Sequence, residues 1–336
     1  MNRMYNLSDI REIHLETTNK CQAKCPMCPR RVYGGPENPL IELDEIYLDD
    51  FKKWFPEFFL KQLNSLFMCG NLGDPIIARD TIEIFEYLRK INPEINLSMH
   101  TNGSARSLDW WKKLADLKVR TTFGIDGLEE SHKKYRINTD WNLILRNAEA
   151  FIKHDGVAEW HMLVFKHNQH EIDACKSISE KYGFQKFEVK HTSRFQESSW
   201  PVLDNTGRTI DTLFPSDKSL EITQKIQEAE TSVKTKHTLI ECKAVHDSQI
   251  YVSANGLVTP CCWLDFSWVP AFEKPRIDYM DEIGYTPSLQ KQSLREIFDS
   301  PYFQKIAEKW NSPSCLIKCK QQCGKVNKRD IQFEKS

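Results

Sequence analysis

Six short runs rich in β-forming residues recur between residues 11 and 192, and a helical pattern or a turn follows each. They are Glu12–Thr17, Ser65–Cys69, Asn96–Thr101, Val119–Ile125, Glu159–Phe165 and Lys186–Lys190. Between them, Ile82, Phe85 and Leu88 recur three apart, and Trp141, Ile144, Leu145, Ala148 and Ile152 keep to one helical face. Ile172, Cys175, Ser179 and Tyr182 mark another helix that Gly183 stops, so Cys175 reads as a small core residue. Such alternation demands a parallel sheet with right-handed crossovers. Six units are too few to close an eight-stranded barrel. The expectation is an α/β fold with a partial (β/α)6 TIM-like barrel, its chemistry at the C-terminal ends of the strands.

The rest of the chain reads differently. Residues 193–218 carry Pro201, Gly207 and Pro215 without periodicity and read as a linker or irregular lid. A helix is expected from Leu220 to about Glu230, then a hairpin of Ser248–Val252 and Leu257–Thr259 turning through Ala254-Asn255-Gly256. Residues 263–290 are irregular and aromatic, and short helices near Ser293–Asp299 and Tyr302–Trp310 follow. The chain thus divides into a core at 1–192, a linker and helix at 193–235, and a small domain at 236–336.

A formal net charge of −1 gives no reason to expect nucleic acid or an anionic membrane as partner. Lys318, Lys320, Lys325, Lys328 and Arg329 read as a solvated tail. No apolar run reaches membrane-spanning length, and residues 1–10 lack the layout of an export signal, so cytoplasmic residence is the default. Eleven cysteines are the outlier. Reduced thiols at close spacing are metal ligands or catalytic groups. Nine of them fall in two groups: Cys21, Cys25 and Cys28, then Cys242, Cys261, Cys262, Cys315, Cys319 and Cys323. Two metal sites are expected.

Cys21-Gln-Ala-Lys-Cys25-Pro-Met-Cys28 follows the first strand directly. Three thiolates on one short loop suit three corners of a cubane iron–sulfur cluster and leave the fourth iron open. A zinc site completed by a distant His is the alternative.

This loop resembles the signature of the radical S-adenosylmethionine (SAM) superfamily, and Cys25-Pro26-Met27-Cys28-Pro29-Arg30 resembles its SPASM/twitch branch. Met27 stands where most of the superfamily has an aromatic residue. Gly70-Asn-Leu-Gly73-Asp74-Pro75 resembles the Gly-Gly-Glu motif that receives the amino group of the cofactor's methionine moiety, with Asp74 in place of Glu. Thr101-Asn102-Gly103 ends the third strand as in relatives. Gly124-Ile125-Asp126-Gly127 resembles a Ser-Ile-Asp-Gly segment along the ribose, with Gly124 where a serine hydroxyl is common. His132 and Tyr135-Arg136 resemble a His…Arg pair, and Asn168 follows the fifth strand as in the family. The resemblance therefore implies cofactor contacts from Gly70, Gly73, Asp74, Thr101, Asn102, Gly124, Asp126, Arg136 and Asn168.

Cys242-x13-Gly256-x4-Cys261 resembles the opening of the auxiliary-cluster pattern of that branch, and Cys315-x3-Cys319-x3-Cys323 supplies the rest. Six cysteines suit the shorter twitch form, with one four-ligand [4Fe–4S] cluster. The preferred ligands are Cys242, Cys261, Cys319 and Cys323, with Cys315 able to replace Cys319. Cys262 is either buried packing or a hydrogen-atom donor to a substrate radical. Structural zinc is again the alternative.

The resemblance implies reductive cleavage of SAM to a 5′-deoxyadenosyl radical, which abstracts hydrogen from an unidentified small-molecule or peptide substrate. Oxidation, epimerisation and peptide modification are the outcomes it allows, oxidoreductase chemistry first. An external reductant such as flavodoxin or ferredoxin is implied as partner. The rival class is a non-catalytic iron–sulfur electron carrier or a metal-stabilised binding module. No individual catalytic side chain stands out.

Overall fold

The computed structural model describes residues 4–192, 194–195, 198–233, 239–265, 283–310 and 312–324. Six parallel strands run in chain order: β1 (Glu12–Leu15), β2 (Ser65–Met68), β3 (Asn96–Thr101), β4 (Arg120–Gly124), β5 (Ala158–Val164) and β6 (Lys186–His191). All six expected strands are present, with ends moved by one or two residues. Helices α1 (Leu48–Trp54), α2 (Glu57–Lys61), α3 (Thr81–Ile91), α4 (Leu108–Asp116), α5 (Glu129–Tyr135), α6 (Trp141–Lys153) and α7 (Ile172–Tyr182) connect them. Gly183 ends α7 at a left-handed φ of 84°, a conformation that side chains with a Cβ rarely adopt.

Side chains alternate across the sheet. Ile13, Leu15, Leu66, Met68, Met99, Phe123, Trp160 and Met162 are fully buried on one face. They share a core with Phe85 and Leu88 of α3, Trp111 and Leu114 of α4, and Ile144 and Phe151 of α6. Each such side chain contributes about 1.5–3 kcal/mol on burial, so this layer holds the barrel together. The opposite face is polar. His14, Phe67, His100 and His161 form a ladder of rings with successive centroids 5.0, 4.8 and 5.5 Å apart. Arg120 pairs with Glu159 at 2.9 Å, and His161 lies 3.4 Å from both Glu159 and Glu188. Burial pulls His14 and His161 down to about 4 and His100 to about 3, so the imidazoles are neutral at pH 7.

The region expected as an irregular linker contains a second sheet. After β6, β7 (Trp200–Leu203) pairs antiparallel with β8 (Thr209–Leu213). Asp204 accepts the main-chain N–H of Thr206 at 2.8 Å and of Arg208 at 3.1 Å, fixing the turn. Trp200, Val202 and Leu213 are its buried side chains. Helix α8 then runs Asp217–Val233, three residues longer at each end than expected.

The expected hairpin is present as β9 (Gln249–Val252) and β10 (Val258–Thr259), with Gly256 at a φ of 76°. Strand β9 pairs parallel with β1, on the side away from β2. The C-terminal segment therefore extends the barrel sheet to eight strands, in the order β10-β9-β1-β2-β3-β4-β5-β6. Helices at Leu294–Asp299 and Tyr302–Lys309 match expectation, and a further one covers Ile317–Cys323. Most of the irregular aromatic stretch, and the basic tail beyond Gly324, lie outside the described residues. No described helix is long and apolar enough to cross a membrane.

Candidate metal-cluster and cofactor sites

The Cys21–Cys28 loop leaves the C-terminal end of β1 and is held from every side. Cys28 N–H donates to Cys25 O at 3.0 Å, closing the turn between the last two thiols. Lys24 N–H reaches Ile137 O at 2.8 Å, and the Asn138 amide reaches Gln22 O at 2.7 Å. The buried Arg30 guanidinium donates to Ala23 O. Hairpin β7–β8 lies over the loop: Trp200 Nε1 donates to Pro26 O at 3.0 Å, while Arg194, just before it, donates to Met27 O at 2.9 Å. Ala23, Cys25, Met27, Tyr135, Phe165, Trp200 and Val202 make one apolar cluster.

The three thiols lie close enough for their charges to interact. Burial pushes Cys25 up to about 11, opposed by the Arg136 guanidinium, and burial, Asp74 and the two neighbouring thiols push Cys21 up further. Such groups ionise only against a compensating cation, which cluster iron supplies. The donor set fits an iron–sulfur cluster better than zinc, because among the described residues nothing completes a tetrahedron. The groups beside the thiols are the Asn102 and Gln22 amides, the Arg136 and Arg30 guanidinium groups, and Asp74 and Asp126, whose carboxylate oxygens are all already hydrogen-bonded. Among the described residues, no three His, Cys, Asp or Glu side chains gather closely enough to hold a single metal ion.

The strand-end segments close around this loop. The chain folds back so tightly after β2 that a Cβ on Gly70 would lie 1.5 Å from Gly73 O, and one on Gly73 1.9 Å from Thr18 O. Only glycine fits at either position. Asp74 is buried and braces the third strand end: Oδ2 accepts the Asn102 main-chain N–H at 2.7 Å and its side-chain amide at 2.6 Å, and Oδ1 accepts Ile76 N–H. Asn102 in turn donates to Cys21 Sγ at 3.6 Å and accepts from Gln22 Nε2 at 2.8 Å. Thr101 Oγ1 accepts Gly103 N–H at 2.9 Å, fixing the turn.

At the fourth strand end, Arg136 Nε donates to Asp126 Oδ2 at 2.6 Å. A Cβ on Gly124 would stand 2.6 Å from Arg136 Nη2, so the guanidinium fills the space that a serine side chain would take. Asp126 Oδ1 also accepts Leu163 N–H, and His132 Nδ1 accepts Asp126 N–H at 3.1 Å. Asn168 is fully buried. Its amide donates to Asp126 O and Leu163 O and accepts Phe165 N–H, so it braces Asp126. Replacing Arg136 by Met should lower stability by about 3 kcal/mol, since it strands the buried Asp126 carboxylate. The check is a lower urea midpoint at unchanged slope.

Four cysteines of the second group, Cys242, Cys261, Cys319 and Cys323, line one pocket. Glu241 N–H donates to Cys323 O at 2.9 Å, tying the two ends of the segment together. A hydrogen bond with Cys323, then burial, raises Cys242, and burial raises Cys261 and Cys319. Cys315 is buried beside Cys319, but its Sγ points to Leu316 O at 3.7 Å and it does not line the cavity. Cys262 faces the other way, towards Asn71, Cys69 and Glu16 at the barrel rim, and burial raises it to about 12.

A family model described as the radical SAM superfamily matches residues 15–176, and one described as an iron–sulfur cluster-binding domain, SPASM, matches residues 242–324. The chain belongs to the radical SAM superfamily, in its SPASM/twitch branch. With membership come a [4Fe–4S] cluster used with SAM and auxiliary iron–sulfur binding at the C-terminus. The fold agrees. SuiB of Streptococcus suis bound to S-adenosylmethionine superposes with a TM-score of 0.58 at 12% identity, over 88% of this chain and 67% of that one. Native anSMEcpe with bound AdoMet gives 0.57 at 16% identity, over 90% of this chain and 84% of that one. A GTP 3′,8-cyclase of Saccharophagus degradans is 28% identical over 141 residues, 41% of this chain and 40% of the cyclase. The chain thus spans well under half the length of that curated relative.

Sequence reasoning missed one residue that holds the loop after β2. Glu16, just past β1, is 2% exposed and accepts the main-chain N–H groups of Leu72 and Gly73. Burial lifts it to about 7 against these donors and Tyr251. A lone acidic residue at a strand end carries no local signal of such a role.

Proposed function

We propose that this chain is a radical SAM enzyme whose Cys21, Cys25 and Cys28 hold the SAM-binding [4Fe–4S] cluster, and whose Cys242, Cys261, Cys319 and Cys323 hold an auxiliary one. The observation that carries this reading is three neighbouring thiols, Cys25 within one apolar cluster and Cys21 and Cys28 packed against it. When bound, cluster and cofactor supply reductive cleavage of the sulfonium and hydrogen abstraction from a substrate.

The chain's own residues bind and aim. Gly70 and Gly73 let the main chain fold back tightly, shaping the loop that would receive the cofactor's amino group. The terminal nitrogens of Arg136, set beside Gly124 and Cys25, offer donors to an anionic group such as the methionine carboxylate. Thr101, Asn102, Asp74, Asp126 and Asn168 keep those donors in place. Trp200, Met27 and Phe165 exclude water. The core spans 1–192, a linking stretch 193–235 and the auxiliary-cluster domain 236–336. The substrate is a small molecule or a peptide; one SuiB structure holds the precursor peptide SuiA. A flavodoxin or ferredoxin supplies electrons in a cytoplasmic setting.

The test is anaerobic reconstitution followed by reduction. Adding SAM should change the electron paramagnetic resonance spectrum of the reduced protein, and 5′-deoxyadenosine should accumulate. A fully loaded, reduced protein that gives neither result is an electron carrier or a binding module.

A further inference from the structure

Glu16 joins two parts of the molecule that the chain separates widely. Its Oε1 accepts Leu72 N–H at 2.7 Å and Gly73 N–H at 3.1 Å. Its Oε2 accepts the Tyr251 hydroxyl at 2.5 Å, and its own N–H donates to Val252 O at 2.9 Å. Tyr251 is fully buried on β9, in the C-terminal segment. One carboxylate therefore grips the 70–73 loop with one oxygen and the auxiliary strand with the other.

That grip sets the direction of the loop's acceptors. In a planar trans peptide the C=O and N–H point opposite ways. Turning the N–H groups of Leu72 and Gly73 onto Glu16 turns the carbonyls of Asn71 and Leu72 away from it. An ammonium group needs carbonyl acceptors of this kind. The rest of the loop has no freedom to rotate, because Asp74 N–H is bound to Lys20 O at 3.0 Å and both glycines are packed against main chain.

We infer that Glu16 is a positioning residue for S-adenosylmethionine, and that Tyr251 makes the loop receiving the cofactor's amino group depend on the docking of β9. This rests on the cofactor site given under Proposed function. Neither residue touches the reacting atoms; both act through main chain.

The experiment uses the full chain, reconstituted anaerobically and reduced, and titrates the SAM-dependent change in its paramagnetic resonance spectrum. Glu16→Ala should weaken SAM affinity by about tenfold or more while iron content stays at the wild-type level. Glu16→Gln keeps an oxygen for the two N–H groups and should recover to within about threefold of wild type. Tyr251→Phe should fall between the two. A role in folding alone would move melting temperature and iron content without this ordering of affinities. Wild-type affinity in an iron-loaded Glu16→Ala protein overturns the inference; if that variant does not load iron, wild-type affinity in Tyr251→Phe does so. Failure of the loaded wild-type protein to respond to SAM overturns the cofactor site itself, and this inference with it.

Discussion

Replacing Cys21, Cys25 and Cys28 together by Ala should lower the iron of the reconstituted protein from about eight per chain to about four and abolish formation of 5′-deoxyadenosine. The basis is local. The three thiols are close neighbours, and the groups around them are amides, guanidinium groups and the carboxylates of Asp74 and Asp126, both already hydrogen-bonded. The loop backbone does not depend on the thiols for its shape, because the Ile137, Asn138, Arg30, Trp200 and Arg194 contacts all involve its main chain. The variant should therefore fold, keep its auxiliary iron and lose only the first cluster. Cys262→Ala is the matched control: its thiol points away from the second cavity, so about eight irons should remain. Four irons in the unmodified protein would remove the auxiliary cluster from the account.

Changing Cys242 and Cys261 to Ala has the opposite profile. Four thiols line the second cavity, enough to saturate a cubane and leave no iron open to a sulfonium. The expected result is that uncoupled formation of 5′-deoxyadenosine persists while turnover of the true substrate is lost. Cluster ligation also stabilises a small domain, so folding is checked first by circular dichroism. The Glu16–Tyr251 link predicts a secondary effect of the same variant, a weaker SAM affinity if β9 shifts. Loss of uncoupled cleavage in a folded variant, with the first cluster intact and saturating SAM, would show that the two clusters do not divide the work in this way.

The strands were legible because their alternation is strong. Ile13, Leu15, Leu66, Met68, Trp160 and Met162 all face one buried layer, and a slip of one residue would turn them into the polar interior. The β9–β10 turn was legible through Gly256, and the cluster loops through cysteine spacing. Hairpin β7–β8 was not. Pro201 interrupts one strand, and Thr209–Leu213 offers only one fully buried side chain, so the run resembles a loop. Asp74 and Asn168 were expected at the cofactor from their motif positions, and the structure shows that their side chains also brace Asn102 and Asp126. Motif position identified where these residues sit, but only the surrounding hydrogen bonds reveal what they hold. The pairing of β9 with β1 had no local signature, since nothing in either strand names a partner more than two hundred residues away.

That pairing also has a history within each molecule. During synthesis β1 emerges first, and its outer row of N–H and C=O groups has no partner until Gln249–Val252 has left the ribosome. At about 5–20 residues per second the interval is on the order of ten to fifty seconds. Throughout it the nascent barrel carries an open β-edge, competent to pair with another chain, beside the stretch that will bear the first three cysteines. A strand made more than two hundred residues later is thus what seals β1, and the yield of assembled protein should depend on how long that edge waits.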